Sequence, residues 1–115
     1  MAVTPTNTMR EKMKRGEIAS TLSTKMVRTV EIPMIAKTAG FDGILIDMEH
    51  SSFDLDTTSQ LCMAALYAGI TPIVRSPSKD PFYVSRILDG GALGVIVPHI
   101  KSVQHAKYVQ RWPLF

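Results

Sequence analysis

The segment Asp47-Met48-Glu49-His50 brings two carboxylates and one imidazole together, directly after the aliphatic run Ile44-Leu45-Ile46. Such a run is typical of a buried strand, so the ionisable residues are expected at its carboxyl end. A carboxylate beside an imidazole holds it in one tautomer and raises its basicity, which proton abstraction requires. We therefore predict that His50 is a general base supported by a neighbouring carboxylate, Asp47 or Glu49; the alternative is a structural histidine.

A second group of polar residues follows the next apolar run, TPIV, where Arg75 precedes Ser76. A guanidinium at a strand end can grip the carboxylate of a 2-oxo acid in bidentate fashion, so Arg75 and Ser76 are predicted substrate-binding residues. The alternative for Arg75 is a surface ion pair. Glu49 is either a partner of Arg75 or a carboxylate near a metal, and His99 is expected to line the rim.

The elements that must position these residues alternate along the chain. Apolar runs and turn residues predict a parallel sheet built from strand–helix units. The predicted strands are 17–23, 41–47, 70–75 and 93–97, and the predicted helices are 26–39, 57–68, 81–88 and 103–111. Residues 1–15 are expected to form a flexible or helical N-terminal arm.

Local signals indicate where the helices begin. Asp54 or Asp56, Asp80 and Ser102 are predicted N-caps, and Pro81 suits a first helical position. Pro33 either kinks its helix or lies in a first turn that begins late. Apolar residues at helical spacing predict the buried face of this helix, namely Val27, Val30, Met34, Ile35 and Ala39.

Two α/β architectures fit this order of elements: a small open doubly wound sheet, or the first half of a (β/α)₈ barrel, about four βα units. The chain lacks a Gly-x-Gly-x-x-Gly after its first strand, which removes the main dinucleotide-binding signal of the open fold. In both architectures, sites form at the carboxyl ends of the strands, where the polar residues lie.

Composition narrows the functional classes. The net charge is +3 with little aromatic interleaving, which argues against nucleic acid as a partner. The one cysteine fits a reducing, cytoplasmic compartment, and no apolar run is long enough to span a membrane. The start of the chain lacks the apolar region of a secretory signal.

Three stretches carry a family resemblance: "AGFDGILIDMEHSSFD", "PIVRSPSKDPFYVSRILDGGALGVIVPHI" and "SVQHAKYVQRWP". Together they resemble the HpcH/HpaI aldolase family over roughly residues 16–113. The resemblance implies a (β/α)₈ barrel, a divalent metal (Mg²⁺, Mn²⁺ or Co²⁺), and cleavage or formation of a carbon–carbon bond through a pyruvate enolate. A 2-oxo acid and an aldehyde would be its small-molecule partners.

The resemblance also implies residue roles. His50 would be the acid–base group, paired with Asp47, and Arg75 would stabilise the carboxylate or enolate oxygen of the 2-oxo acid. Glu49 would lie close to the water shell of the metal, which acts as a Lewis acid. A related alternative is the chemistry of macrophomate synthase, which joins oxaloacetate decarboxylation to bond formation.

The two direct metal carboxylates of the family come from strands beyond the fourth helix. Residues 16–115 are therefore expected to form a partial barrel domain that stops before the fifth strand and contains no direct metal ligand. We predict a weak or inactive aldolase that forms a homo-oligomer or needs the missing half. The alternatives are a non-catalytic remnant or structural partner, and a binding module that uses Arg75 without turnover.

Overall fold

A computed structural model describes residues 5–111. Five helices and four strands alternate in this part of the chain. In chain order they are α1 (Thr8–Lys14), β1 (Thr21–Thr24), α2 (Glu31–Thr38), β2 (Gly43–Asp47), α3 (Leu55–Ala68), β3 (Thr71–Arg75), α4 (Pro81–Asp89), β4 (Gly94–Ile96) and α5 (Val103–Val109). The predicted arm and partial domain extend beyond this range at 1–4 and 112–115, which lie outside the described residues.

The four strands form one parallel sheet in the order β1-β2-β3-β4. Each strand lies beside the next one in the chain, and the helices connect them as crossovers. The predicted α/β fold with parallel strands is confirmed. The register places Asp47 opposite Arg75, and Arg75 opposite Ile96, so the carboxyl ends of three strands meet at one edge.

The helices cover one face of this sheet. Ile44, Ile46 and Val74 point to that face and are buried against Leu61 and Ala65 of α3. Because side chains alternate along a strand, the other face carries the next set of residues. Its members are Ser23, Leu45, Ile73 and Ile96, of which Ser23 and Ile96 are exposed and the other two are half-buried. The aliphatic run of β2 is therefore fully buried on one face alone.

Local capping chemistry sets the starts of three helices. Asp54, rather than Asp56, accepts from the backbone N–H of Thr57 at 2.8 Å and begins α3. Asp80 accepts from the N–H of Phe82 at 3.0 Å, and Pro81 is the first residue of α4. Ser102 caps α5 in the same way. These predicted caps are confirmed.

The first strand and its helix begin later than predicted. β1 starts at Thr21 instead of residue 17, and α2 starts at Glu31 instead of residue 26. Pro33 is the third residue of α2, a first-turn position where its missing N–H costs no helical hydrogen bond. The late start was one of the two outcomes open for Pro33.

The predicted buried face of α2 is wrong. All five predicted residues are exposed, and the buried ones are Pro33 and Ala36. Two of the five, Val27 and Val30, precede the helix, so the helical period does not apply to them. Small side chains therefore bring α2 close to the sheet, while Met34 and Ile35 face outward.

Helix α1 closes the amino end of the sheet. Met9 is buried, and its backbone N–H donates to the Thr71 hydroxyl at 3.1 Å. Lys12 lies 3.0 Å from the Asp42 carboxylate. The pKa of Asp42 is lowered because it accepts a hydrogen bond from the Ser20 backbone N–H and also contacts Lys12. The predicted N-terminal arm is thus, over residues 8–14, a helix in contact with the sheet.

Among residues 5–111, every helix is too short or too polar to cross a bilayer.

The close approach of α1 predicts that Gly43 cannot be enlarged. A Cβ at Gly43 would overlap the Met9 sulfur and lie 2.8 Å from the Thr71 carbonyl oxygen. Gly43→Ala should lower the free energy of unfolding by ~1–3 kcal/mol, measured by urea denaturation. Gly94→Ala is the matched control, since its Cβ would meet Ile73 at an ordinary 3.6 Å. Equal stability of both variants would contradict the proposed contact.

Candidate active site

Asp47 and Arg75 form the centre of the polar edge. The Arg75 guanidinium donates from Nε to Asp47 Oδ1 at 3.0 Å and from a terminal nitrogen to Oδ2 at 2.5 Å. The Asp47 side chain is fully buried, whereas Arg75 keeps 29% of its side-chain surface. The pair follows from the strand register, because the two residues are direct neighbours on β2 and β3.

The Asp47 carboxylate has a strongly lowered pKa, about 2. The main cause is the hydrogen bond from Arg75; the backbone N–H groups of His50 and Glu49 also donate to it, while burial opposes the shift. Asp47 is therefore ionised at neutral pH. It has a second task, since these two backbone bonds turn the chain sharply after β2.

Glu49 lies directly after that turn and faces three cationic or imidazole groups. Its Oε1 is 3.2 Å from His50 Nε2 and 3.5 Å from Arg75 Nε, and its Oε2 is 2.6 Å from His99 Nε2. The Glu49 side chain is only 10% exposed. We call Glu49, His50, Arg75 and His99 the Glu49 cluster.

The structure thus gives His50 a different carboxylate partner from the one that the family resemblance implies. Asp47 contacts the backbone N–H of His50, whereas the imidazole contacts Glu49. The reason is geometric: Asp47 is still on the strand and reaches across to β3, whereas Glu49 and His50 lie beyond the turn. In a neutral imidazole that carries its proton on Nε2, the nitrogen facing Glu49, Nδ1 is the proton acceptor.

Arg75 keeps donors for a ligand. A guanidinium has five N–H groups, and Asp47 occupies two of them. Asp47 also fixes the plane of the guanidinium, so its partly exposed side can receive a carboxylate in a defined orientation. Ser76, the other predicted substrate-binding residue, is buried, and its hydroxyl donates to the Ser78 carbonyl at 2.7 Å. Its position shapes the loop after β3.

Two basic residues join the site from the loop after β1. Lys25 Nζ lies 3.9 Å from Asp47 Oδ2. Arg28 donates to the Ser52 hydroxyl at 2.7 Å and lies over the Phe53 ring, which ties this loop to the turn after β2. Neither residue was predicted as a site residue, although Lys25 closely follows the first predicted strand, at the end of the sheet where polar residues gather.

The carboxylates of this edge are already engaged by cations and backbone donors. Within residues 5–111, no group of three or more His, Cys, Asp or Glu side chains is arranged to hold a metal ion. These residues alone therefore do not fit a divalent metal as direct ligands. Among the carboxylates of this edge, Glu49 lies beside the exposed imidazoles of His50 and His99.

The lowered pKa of Asp47 predicts acid sensitivity. A depressed pKa contributes stability that is present above the unfolded value of 3.8 and is lost as the pH falls towards about 2. Asp47→Asn should therefore be less stable at pH 7 and should lose ~2 kcal/mol less between pH 5 and pH 2. Urea unfolding at several pH values measures both effects.

The control for that experiment is Asp56→Asn, which alters a carboxylate on the surface of α3 that contacts Gln60. Its stability should follow the wild-type pH profile closely. A parallel profile for Asp47→Asn and the wild type would refute the role of the Arg75 hydrogen bond.

The sequence profile of the HpcH/HpaI aldolase/citrate lyase family matches residues 22–112. A relative from Hapsidospora irregularis, named 4-hydroxy-4-methyl-2-oxoglutarate aldolase, is 36% identical over 102 residues, which are 88% of this chain and 38% of the relative. A hydroxypyruvate/pyruvate aldolase from Paraburkholderia phytofirmans is 47% identical over 70 residues, covering 59% of this chain and 27% of that protein.

The fold comparison agrees. The crystal structure of an HpcH/HpaI aldolase from Desulfitobacterium hafniense superposes with a TM-score of 0.86 at 27% identity, over 92% of this chain and 41% of that one. The chain therefore spans about two fifths of the length of such proteins. Its four βα units correspond to part of their barrel.

Proposed function

Because the chain belongs to the HpcH/HpaI aldolase/citrate lyase family, we propose that it forms the N-terminal part of a carbon–carbon lyase that acts on 2-oxo acids. The reaction is an aldol cleavage or addition through a pyruvate enolate. The observation that carries the proposal is the arrangement of Arg75, Glu49 and His50 at one sheet edge, an anion-binding group beside an imidazole with a carboxylate partner.

Arg75 binds the carboxylate of the 2-oxo acid. The bond pair to Asp47 holds the guanidinium still, so its remaining N–H groups meet the ligand without a large loss of side-chain freedom. Lys25 lies near the same buried aspartate and adds positive charge to the mouth. Lys25 and Arg75 balance the negative charges of Asp47 and Glu49, so an anionic substrate does not meet a net negative edge.

His50 moves the proton. In the cleavage direction it accepts the proton of the 4-hydroxyl group, the bond between C3 and C4 breaks, and an aldehyde or ketone leaves. The electron pair of that bond forms the pyruvate enolate, and a proton delivered to C3 completes pyruvate. Glu49 contacts Nε2 of His50, so Nδ1 is the atom that takes the proton.

The family resemblance also implies a divalent metal (Mg²⁺, Mn²⁺ or Co²⁺). When bound, such an ion supplies Lewis-acid stabilisation of the 2-oxo and enolate oxygens. Its direct ligands would have to come from outside residues 5–111, from the rest of a longer protein or from another chain. Glu49, held by two imidazoles and Arg75, would then face the water ligands of the ion rather than the ion itself.

The substrate class follows from the anchoring group and from the relatives. A relative named for 4-hydroxy-4-methyl-2-oxoglutarate acts on a 2-oxo acid with a hydroxyl at C4, which fits an Arg75 anchor and a His50 base. The macrophomate synthase crystal structure superposes with a TM-score of 0.71 at 22% identity, a likeness of fold. An oxaloacetate decarboxylase with bond-forming activity stays an alternative within the same chemistry.

A second candidate function is that of a non-catalytic half barrel that pairs with another chain. Exposed apolar side chains favour it: Met34 is 65% exposed and Ile35 56% on the outer side of α2. The open sheet face carries Leu45, Ile73 and Ile96 in addition. A homo-oligomer, or assembly with the missing half, would cover such surfaces.

The anchoring role of Arg75 is testable without turnover. Oxalate, a mimic of the pyruvate enolate, should shift the Arg75 Nε–H signal in a nuclear magnetic resonance titration of the chain. Arg75→Lys keeps the charge but loses the fork, so oxalate binding should weaken at least about tenfold. Arg86→Lys, which alters an arginine stacked on Phe82 of α4, is the matched control and should bind like the wild type. Unchanged affinity of Arg75→Lys would disprove the anchor.

The purified 115-residue chain should show no metal-dependent cleavage above background. The physical reason is that its described residues do not fit a metal as direct ligands. Pyruvate release from 4-hydroxy-4-methyl-2-oxoglutarate, followed with and without Mn²⁺, measures this. Light scattering in parallel reports the oligomeric state. Robust Mn²⁺-dependent release that His50→Gln abolishes would show that the chain completes its own site.

A further inference from the structure

His99 adopts an unusual backbone conformation. It has a φ of 60°, and within residues 5–111 the other positive φ angles all belong to glycines. Left-handed backbone is uncommon for a residue with a Cβ, although histidine tolerates it better than most. Such a conformation persists when the surrounding structure imposes it, and it often marks a functional position.

Packing does not explain this conformation. The His99 side chain is 68% exposed, so burial of apolar surface cannot compensate for the backbone. β4 ends at Ile96, and the chain continues through Val97 and Pro98 before it reaches His99. The positive φ lies at His99 itself, the residue whose imidazole contacts the Glu49 carboxylate.

The contact that His99 makes is short and specific. Its Nε2 lies 2.6 Å from Oε2 of Glu49, whereas His50 and Arg75 contact the other oxygen, Oε1. The terminal torsion of a glutamate is otherwise broad, so a carboxylate held at one oxygen can still rotate. Close contacts at both oxygens restrict the rotation of the carboxylate more than contacts at one oxygen alone.

We propose that His99 is a positioning residue for the acid–base group: it holds Oε2 of Glu49 so that Oε1 stays at Nε2 of His50. This contact then sets the tautomer of His50 and leaves Nδ1 as the proton acceptor. The inference rests on the proposed function for the catalytic role of His50. The clamp itself concerns the ligand-free chain.

The test uses the imidazole ¹⁵N signals of His50 in the ligand-free chain, at a pH where imidazoles are neutral. The wild type should show the Nε2–H tautomer of His50. His99→Leu removes the donor and should shift both His50 signals towards a mixture of tautomers. His99→Gln places an amide donor near the position of Nε2 and should restore most of the wild-type pattern. Lys101→Gln, an exposed change in the same loop, should leave the signals unchanged.

A fourth variant separates the clamp from a purely structural role. His99→Gly removes the Cβ from a left-handed position, so its thermal unfolding midpoint should equal or exceed that of the wild type. It should nevertheless shift the His50 signals as His99→Leu does. Wild-type His50 signals in both the Leu and Gly variants would overturn the proposal.

The outcome is independent of ligand binding. If oxalate fails to bind at Arg75 while His99→Leu still shifts His50, the proposed function fails and the clamp stands. If oxalate binds at Arg75 while the His50 signals ignore His99, the anchor stands and the clamp fails.

Discussion

The buried ion pair between Asp47 and Arg75 is the interaction on which the site depends. A carboxylate without solvent contact is costly unless a cation and hydrogen-bond donors surround it, and Asp47 has the Arg75 guanidinium and two backbone N–H groups. The pair forms only if β2 and β3 keep their register, since a shift of one residue would turn one partner to the opposite face. Sheet register and site geometry are therefore one constraint.

Two carboxylates separated by a single residue have different tasks because the chain turns between them. Asp47 lies on the strand, orients Arg75 and bonds the turn that follows. Glu49 lies beyond the turn and meets the imidazoles of His50 and His99. This division couples Arg75, the proposed anion-binding group, to His50, the proposed acid–base group, through residues that touch each other, so we expect a change at one position to affect the other.

Within residues 5–111, the helices cover one side of the sheet and leave the other side partly open. The helices bury Ile44, Ile46 and Val74, while Leu45 and Ile73 on the other face are half-buried and Met34 and Ile35 of α2 face outward. These apolar surfaces agree with the coverage of about two fifths of the matched relatives. The site residues lie at the carboxyl edge between the covered and the open face, where further strands of a barrel would surround them.

The sequence by itself determined the features that depend on neighbouring residues. The caps at Asp54, Asp80 and Ser102 are local hydrogen bonds, and the alternation of apolar runs with helical patterns is enough to predict the parallel α/β fold. The three segments that carry the family resemblance are likewise continuous in sequence. Local patterns were misleading for α2, where Pro33 sets a late start and so changes which residues share a face.

Only the tertiary structure decided the partners within the site. Asp47 and Arg75 are 28 residues apart, and Glu49 meets His99 from the end of another strand, so these contacts depend on strand register and on the path of the chain after β2 and β4. The family resemblance pairs Asp47 with the His50 imidazole, yet in the structure Asp47 bonds Arg75 across the sheet and Glu49 lies beside the imidazole. No local sequence pattern indicates the left-handed backbone of His99. This conformation accompanies a contact to Glu49, a residue far away in the chain.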